Sequence, residues 1–442
     1  MKKTNTTETS VTQTALDFIR EPLCSPFGFK GHFVDELWQV VCQIGDEQGR
    51  QGIGMGVQSV LWSDPAVFSS FSQSGGNAAM LLVTQKALSL IRENVFTTPP
   101  DMIKAILPVV YNYACLVTQN KNLKKTFVLN ALVAVDFALW QLFAAQNKIV
   151  HFADMTAGFT RSFTEQHSHL GVIPLVTYGM TMTEVQDLAE QGIFFFKIKL
   201  GQDPGQRHDP EEMLEADKKR VLAVHETLKG YTTPHTVSGS ILYYFDANGR
   251  YDTKERLLDL LDYMDSIGAL SRTVILEEPF PEESNIQVSD LPVRIAGDES
   301  AHSPEDVRHL VDDLGYGAIA IKPVAKTLSL TLQMLDIATD RQVPCFCADL
   351  TVPPYLCEWN RNVACRIAPL PGLKTAVMES NGKQNYINWE QMKGDHPIPH
   401  ASWLEPKGGL YDLNDEFYQT SGGVLMAPRL EYWKMKQTHR GK

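Results

Sequence analysis

From about residue 170 onward the chain repeats one unit: a short apolar run, then a segment of helical periodicity. The runs are "VIPLVTY", "IFFFKIKL", "ILYYFDA", "TVILEE", "VRIAGDE", "AIAIKP", "VPCFCADL" and "LKTAVMES". Several are followed by amphipathic stretches such as "TMTEVQDLAEQG", "PEEMLEADKKRVLAVHETL", "TKERLLDLLDYMDSIG" and "SPEDVRHLVDDLG". Near-continuous apolar strands alternating with helices belong to a parallel sheet covered by helices, because water reaches neither face. Eight strands in about 230 residues fit a closed (β/α)8-type barrel, which typically takes about 250. An open doubly wound sheet is the alternative, but no G-x-G-x-x-G follows the first strand. After the eighth run comes the polar and aromatic "NGKQNYINWEQMKGDHPIPHASWLEP", so the barrel is expected to lack its last helix.

A chain of 442 residues is too long for one small core, and two domains are expected. Residues 34–60 read as two strands joined by the turn-rich "GDEQGR", and residues 78–147 read as helical. Strands followed by helices give an α+β domain over 1–165, with the barrel over 166–400. The segment 401–442 is expected to pack back on the N-terminal domain. The longest apolar stretch, "FVLNALVAVDFALWQLFAA", carries Asn130, Asp136 and Gln141, so it reads as a buried helix rather than a membrane span. The opening "MKKTNTTETSVTQTALDF" has no apolar core of a signal peptide, and a cytoplasmic protein is expected. A net charge of −12 argues against nucleic-acid and anionic-membrane partners, which need clustered positive charge. Seven cysteines, an odd number, fit reduced thiols. Cys345 and Cys347 have C-x-C spacing, but with no second close pair they read as core residues of a strand rather than zinc ligands.

In a barrel of this type the chemistry lies at the C-terminal strand ends. Those ends carry, in order, Lys197 and Lys199, Asp246 and Asn248, Glu277, Asp298 and Glu299, and Lys322. Each has a plain structural reading. Lysines guard sheet edges, "DANG" makes a turn, "EEP" is a charged loop and "GDES" sits before a helix. Together, three successive acidic strand ends flanked by lysine-bearing strands make sense as a site. Carboxylates converging on one mouth repel unless a cation joins them, and an all-oxygen set points to Mg²⁺ or Mn²⁺. A lysine base must give up its own proton first, and the neighbouring positive charges of Lys197 and the cation favour that at Lys199. Lys322, four strand positions from Lys199, faces it across a closed barrel. Two bases on opposite sides of one carbon allow racemisation or epimerisation.

These motifs resemble the enolase superfamily, in its mandelate racemase/muconate-lactonizing-enzyme-like branch. "ALVAVDFALWQL" looks like the last helix of that family's capping domain, and "KIKLG", "DANG", "LEEP", "GDES" and "IKP" follow the family's order on successive strands. The resemblance implies an α+β capping domain over 1–165 and a modified (β/α)7β barrel over 166–400. It implies Lys199 and Lys322 as the bases, Lys197 holding the substrate carboxylate, and Asp246, Glu277 and Asp298 on Mg²⁺. Glu299 would orient Lys322 and Asn248 would support the metal side. Cap residues such as Phe27 and Phe29 would close over the substrate, and a homo-oligomer is expected. The implied reaction removes the proton α to a carboxylate, with a small carboxylate such as an amino-acid derivative or dipeptide as substrate. Cycloisomerisation or syn-elimination is the alternative within the family, and a non-catalytic binding barrel the alternative outside it. Two departures stand out. The segment between Lys199 and Asp246 is long, with an extra "KGYTTPHTVSGS". At strand eight the family's dipeptide epimerases carry Asp-x-Asp for the substrate ammonium, where this chain has Glu379 and Asn381 and so one charge fewer.

Overall fold

The structure is a computed structural model that describes residues 8–29 and 32–429. Its N-terminal sheet is antiparallel, in the order β3-β2-β1-β4, built from β1 (Thr9–Phe29), β2 (His32–Asp46), β3 (Gln51–Gln58) and β4 (Val95–Phe96). Three helices, Pro65–Glu93, Pro99–Thr118 and Lys125–Asn147, complete this domain. The "GIGMG" of β3 sets its thickness. A Cβ at Gly52 or Gly54 would lie 2.0 or 1.9 Å from the carbonyl oxygens of Ala138 or Ala134. Only glycine lets strand and helix approach so closely.

The Lys125–Asn147 helix is apolar and long enough for a bilayer but is buried inside the protein. Three of its buried polar residues make fixed connections. Asn130 Oδ1 accepts from Ser59 N–H and the Ser63 hydroxyl, both at 3.1 Å, while its Nδ2 donates to the Val57 carbonyl at 2.7 Å. Asp136 accepts from Leu328 N–H at 2.7 Å and Ser329 N–H at 3.1 Å, capping the Leu328–Asp340 helix of the barrel. Gln141 accepts from Ile53 N–H and donates to the Tyr355 hydroxyl and the Val424 carbonyl.

The barrel strands are β5 (His169–Ile173), β6 (Leu175–Val176), β7 (Phe195–Lys199), β8 (Leu242–Asp246), β9 (Thr273–Glu277), β10 (Ile295–Gly297), β11 (Ala318–Ile321), β12 (Cys345–Cys347) and β13 (Val377–Glu379). All are parallel, and β6 to β13 each pair with their sequence neighbours. Closure runs through Pro174, which lies between β5, paired to β13, and β6, paired to β7. Proline has no N–H to give a ladder, and its carbonyl accepts from Lys197 N–H at 3.2 Å. Counting β5 and β6 as one split strand, the barrel has eight positions. Every residue of β7 and β8 is buried, which accounts for their continuous apolar character.

Beyond Glu379 the helices among the described residues are short, including Gly382–Asn385, Trp389–Gly394 and Asp415–Thr420. A last strand, β14 (Leu410–Asp412), then pairs antiparallel with β5. The C-terminal segment thus lies on the barrel as well as meeting Gln141 through Val424; residues 430–442 are outside those described. The extra "KGYTTPHTVSGS" segment sits at the end of the barrel away from the strand tips, where Val237 N–H donates to Gly372 and Lys374 N–H to His235. Cys345 and Cys347 are buried core residues of β12, and burial raises both thiols above their ordinary range.

Candidate active site

The ends of β7 to β11 bring Lys197, Lys199, Asp246, Asn248, Asp298, Glu299 and Lys322 to one chamber, with Glu277 beside them. β7 and β11 stand four positions apart in a barrel of eight, so Lys199 and Lys322 enter from opposite walls. The turn after β8 holds Asn248 and Gly249 at φ +46° and +72°, the left-handed region that Asn and Gly tolerate best. "DANG" is both a turn and part of the site.

Asp246 Oδ2 lies 2.7 Å from Lys199 Nζ and 3.0 Å from Lys197 Nζ. Burial alone would raise this carboxyl, but the two ammonium groups bring it down to about 2. Lys199 also donates to Asn248 Oδ1 at 2.5 Å, and Asn248 Nδ2 donates to Glu299 Oε1 at 3.2 Å. Lys197 reaches Glu277 at 3.3 Å and Glu379 at 3.2 Å. Burial opposes its charge, yet Asp246, Glu277 and Glu379 together hold it well above the usual lysine range.

On the far wall Lys322 Nζ donates to Asp298 Oδ2 at 2.5 Å, and the Trp62 ring of the cap covers it at 4.7 Å. Burial works against the charged form of Lys322, but Asp298 outweighs it and the group is pushed up to about 12. Lys326, one turn on, pairs with the other Asp298 oxygen at 2.9 Å. Asp298 therefore sits below the ordinary carboxylate range in spite of its burial, held there by Lys322 and Lys326. The hydrogen bond to Lys322 comes from Asp298, whereas Glu299, expected to orient that lysine, turns to Asn248 and reaches Lys322 through its charge.

Oxygens of Glu277, Asp298 and Glu299 lie within 4.8 Å of one another, and all three residues are buried. Burial, with Asp298 adding to it against the pull of Lys197, raises Glu277 to about 8. Glu299 Oε2 is buried without a hydrogen-bond partner. An all-oxygen cluster with an unpartnered acceptor fits a hard divalent cation. This group differs from the Asp246–Glu277–Asp298 set expected from the sequence: it takes in Glu299, because Asp246 is shared between two lysines.

Leu23, Phe27, Val34, Leu37, Leu61 and Trp62 of the N-terminal domain roof the chamber, whose volume is about 50 Å³. Asn130 fixes the 59–63 segment that carries Leu61 and Trp62. Phe27 is half-buried against the chamber; the Phe29 side chain lies outside those described. Glu379 and Asn381 line the wall beside Lys197, and Asn381 Nδ2 donates to Glu379 Oε1 at 3.1 Å. Three neighbours were not singled out from sequence. Glu278, at φ +41°, accepts from Asp298 N–H at 2.6 Å and so braces that strand tip. Lys326 follows from the short helix Pro323–Lys326. Asp349 ends the seventh strand run, and an acid at a strand tip was the signal for it.

An α+β cap over a parallel barrel, with lysines and acids on successive strand tips, defines a class of barrel that works at the domain boundary. The barrel belongs to the enolase superfamily: residues 181–399 match the family described as "Enolase C-terminal domain-like". Among curated proteins none matches the chain. Solved structures similar in fold include a mandelate racemase/muconate lactonizing protein from Herpetosiphon aurantiacus, 16% identical, with a TM-score of 0.63 over 92% of this chain and 96% of that one. A dipeptide epimerase from Enterococcus faecalis V583, in complex with Mg and the dipeptide L-Leu-L-Tyr, is 16% identical, with a TM-score of 0.55 over 84% and 90%. An N-succinyl Arg/Lys racemase from Bacillus cereus is 14% identical, with a TM-score of 0.59 over 86% and 89%.

Proposed function

We propose that the protein is a Mg²⁺-dependent racemase or epimerase that moves the proton α to the carboxylate of a small substrate, an amino-acid derivative or dipeptide. The observation that carries this reading is the placement of Lys199 and Lys322 on opposite walls of one chamber, four strand positions apart. Glu277 and Asp298 would hold the ion, with Asp246 and Glu299 on either side of them. When bound, the ion supplies positive charge against the negative charge that develops on the substrate carboxylate as the α-proton leaves.

The chain's own groups do the rest. One lysine takes the α-proton from one face, and the other returns a proton to the opposite face, so the configuration inverts. Lys322, held charged by Asp298, is set to give a proton. Lys199 stands opposite as its counterpart, with Asn248 fixing its direction. Lys197 offers its ammonium to the substrate carboxylate. The roof of Leu23, Phe27, Leu61 and Trp62 excludes water that would compete for the proton. The test is incubation with Mg²⁺ in D₂O and a panel of small carboxylates, read by mass spectrometry and polarimetry. Deuterium at the α-carbon with loss of optical purity is the expected result. Net loss of water or ring closure would overturn the two-base reading.

A further inference from the structure

The turn Val60–Ser63 of the cap is buried in all four of its residues and pinned at both ends. Ser59 N–H and the Ser63 hydroxyl donate to Asn130 Oδ1, and Val60 N–H donates to Asn77 Oδ1 at 3.0 Å. The Thr126 hydroxyl donates to the Ser63 carbonyl at 2.5 Å. A turn fixed in this way is a rigid mount and not a flap. The side chain it delivers to the chamber is Trp62, 8% exposed.

Tryptophan is a costly residue for a roof. The Trp62 indole N–H is buried without a hydrogen-bond acceptor, a cost that leucine or phenylalanine in the same space would avoid. What sets tryptophan apart is its face, which holds a cation more strongly than the other aromatic rings. The centre of that ring lies 4.7 Å from Lys322 Nζ. Lys322 is 2% exposed and enters the chamber between two neighbours, Asp298 Oδ2 at 2.5 Å and the Trp62 ring. A lysine is a point charge on a flexible four-carbon stem, and one hydrogen bond leaves its ammonium free to swing. The ring limits that swing.

We propose that Trp62 is a positioning residue: its face holds the Lys322 ammonium so that a remaining N–H points into the chamber, and it serves the proton transfer on the Lys322 side. The inference rests on the proposed two-lysine chemistry and deepens it by giving one of the two transfers a support from the other domain. In that transfer an N–H bond of Lys322 breaks, its electron pair staying on Nζ, and the electron pair of the α-carbon forms the new C–H bond. In reverse the C–H bond breaks and the proton returns to Nζ. Both directions need Nζ in line with the α-carbon, so loss of the ring slows both. On the opposite wall Lys199 is held by Asp246 and Asn248 of the β8 end.

Two measurements on the full-length, Mg²⁺-loaded protein test this. The first needs no turnover. With ¹³C at the lysine ε-carbons, the ring should shift the Lys322 ε-proton signal upfield, and Lys322→Met assigns that signal by its loss. Trp62→Leu should return it to the ordinary lysine position, and Trp62→Phe only part of the way. The second follows deuterium uptake at the α-carbon beside the carboxylate by mass spectrometry. It compares L-alanyl-L-leucine with L-alanyl-D-leucine, and N-acetyl-L-leucine with N-acetyl-D-leucine. Lys322→Ala marks the isomer whose α-hydrogen faces Lys322. Trp62→Leu should slow uptake from that isomer about tenfold, the scale of a cation–ring contact away from water, and change the other less than about twofold. Trp62→Phe should restore most of the loss. A ratio of two isomers on one preparation does not depend on how much protein is folded. Equal slowing of both isomers would overturn the inference, because a roof that only excludes water serves both faces alike. A Lys322 signal unmoved by Trp62→Leu would overturn it as well. If no carboxylate takes up deuterium, the proton chemistry falls, and the lysine signal alone decides whether Trp62 holds Lys322.

Discussion

Two of the ionic clusters buried among the described residues invite comparison. One is the site at the strand tips; the other joins Glu358, Arg361 and His396 beneath the C-terminal segment. Arg361 pairs with Glu358, His396 Nε2 lies 3.7 Å from the same carboxylate, and Arg361 packs over the Tyr411 ring at 4.4 Å. Both clusters are almost fully buried and both have shifted titrations: burial raises Glu358 to about 7 and lowers His396 to about 4. What differs is room and balance. Around Glu358 the protein closes in, with a Cβ at Gly422 only 2.5 Å from Oε2. At the strand tips the acids outnumber the lysines and face a chamber. Shifted titration marks burial; a cavity with uncompensated charge marks a site.

Breaking each cluster should therefore fail differently. The largest expected effect is chemical. Lys199→Ala and Lys322→Ala should each reduce stereoinversion by about 10²–10⁴-fold in polarimetric assays, as for loss of a proton-transfer group. Exchange from one face can survive in one of the two. Arg361→Met should instead cost about 3–5 kcal/mol of stability in urea unfolding, because it leaves Glu358 buried and unpaired. Activity per folded molecule should stay the same. Removing divalent cations with EDTA should stop exchange reversibly, with Mg²⁺ restoring it, and leave the Glu358 cluster intact by near-ultraviolet circular dichroism. Activity that survives exhaustive chelation would erase the contrast between the two clusters.

The smallest effect sharpens the comparison through pH. The folded pKa of His396 is depressed from 6.5 to about 4 by burial, so its contribution is present above pH 6.5 and lost as pH falls toward 4. That loss amounts to at most about 3 kcal/mol. In urea melts between pH 7.5 and 4.5, His396→Gln should be less sensitive to acid than the parent protein. Equal slopes would mean that His396 does not titrate with unfolding.

The barrel was legible because most of its strands are buried on both faces and end abruptly in charge, as in "FFFKIKL" and "TVILEE". The N-terminal sheet was less so. Among its described side chains β1 has only Thr9, Val11 and Leu23 buried, so no apolar pattern announces it, although Phe18 stacks on Trp38 at 4.3 Å. Helix ends were blurred for a similar reason: the 78–147 span divides at Pro99 and after Thr118, and the first helix starts earlier, at Pro65. In the site, order along the chain gave the strand tips but not their partners. That Asp246 bridges two lysines, that Asp298 rather than Glu299 bonds Lys322, and that Asp349 joins Glu379 depend on side-chain directions set by the barrel's curvature.

The buried carboxylate of Asp136 belongs to one domain and the helix end it satisfies belongs to the other. Divorced from each other, the two halves would each lose those hydrogen bonds and turn a wide oily face to water. Neither should survive as an independent module, and a split-gene version of this protein should regain structure only when both fragments meet.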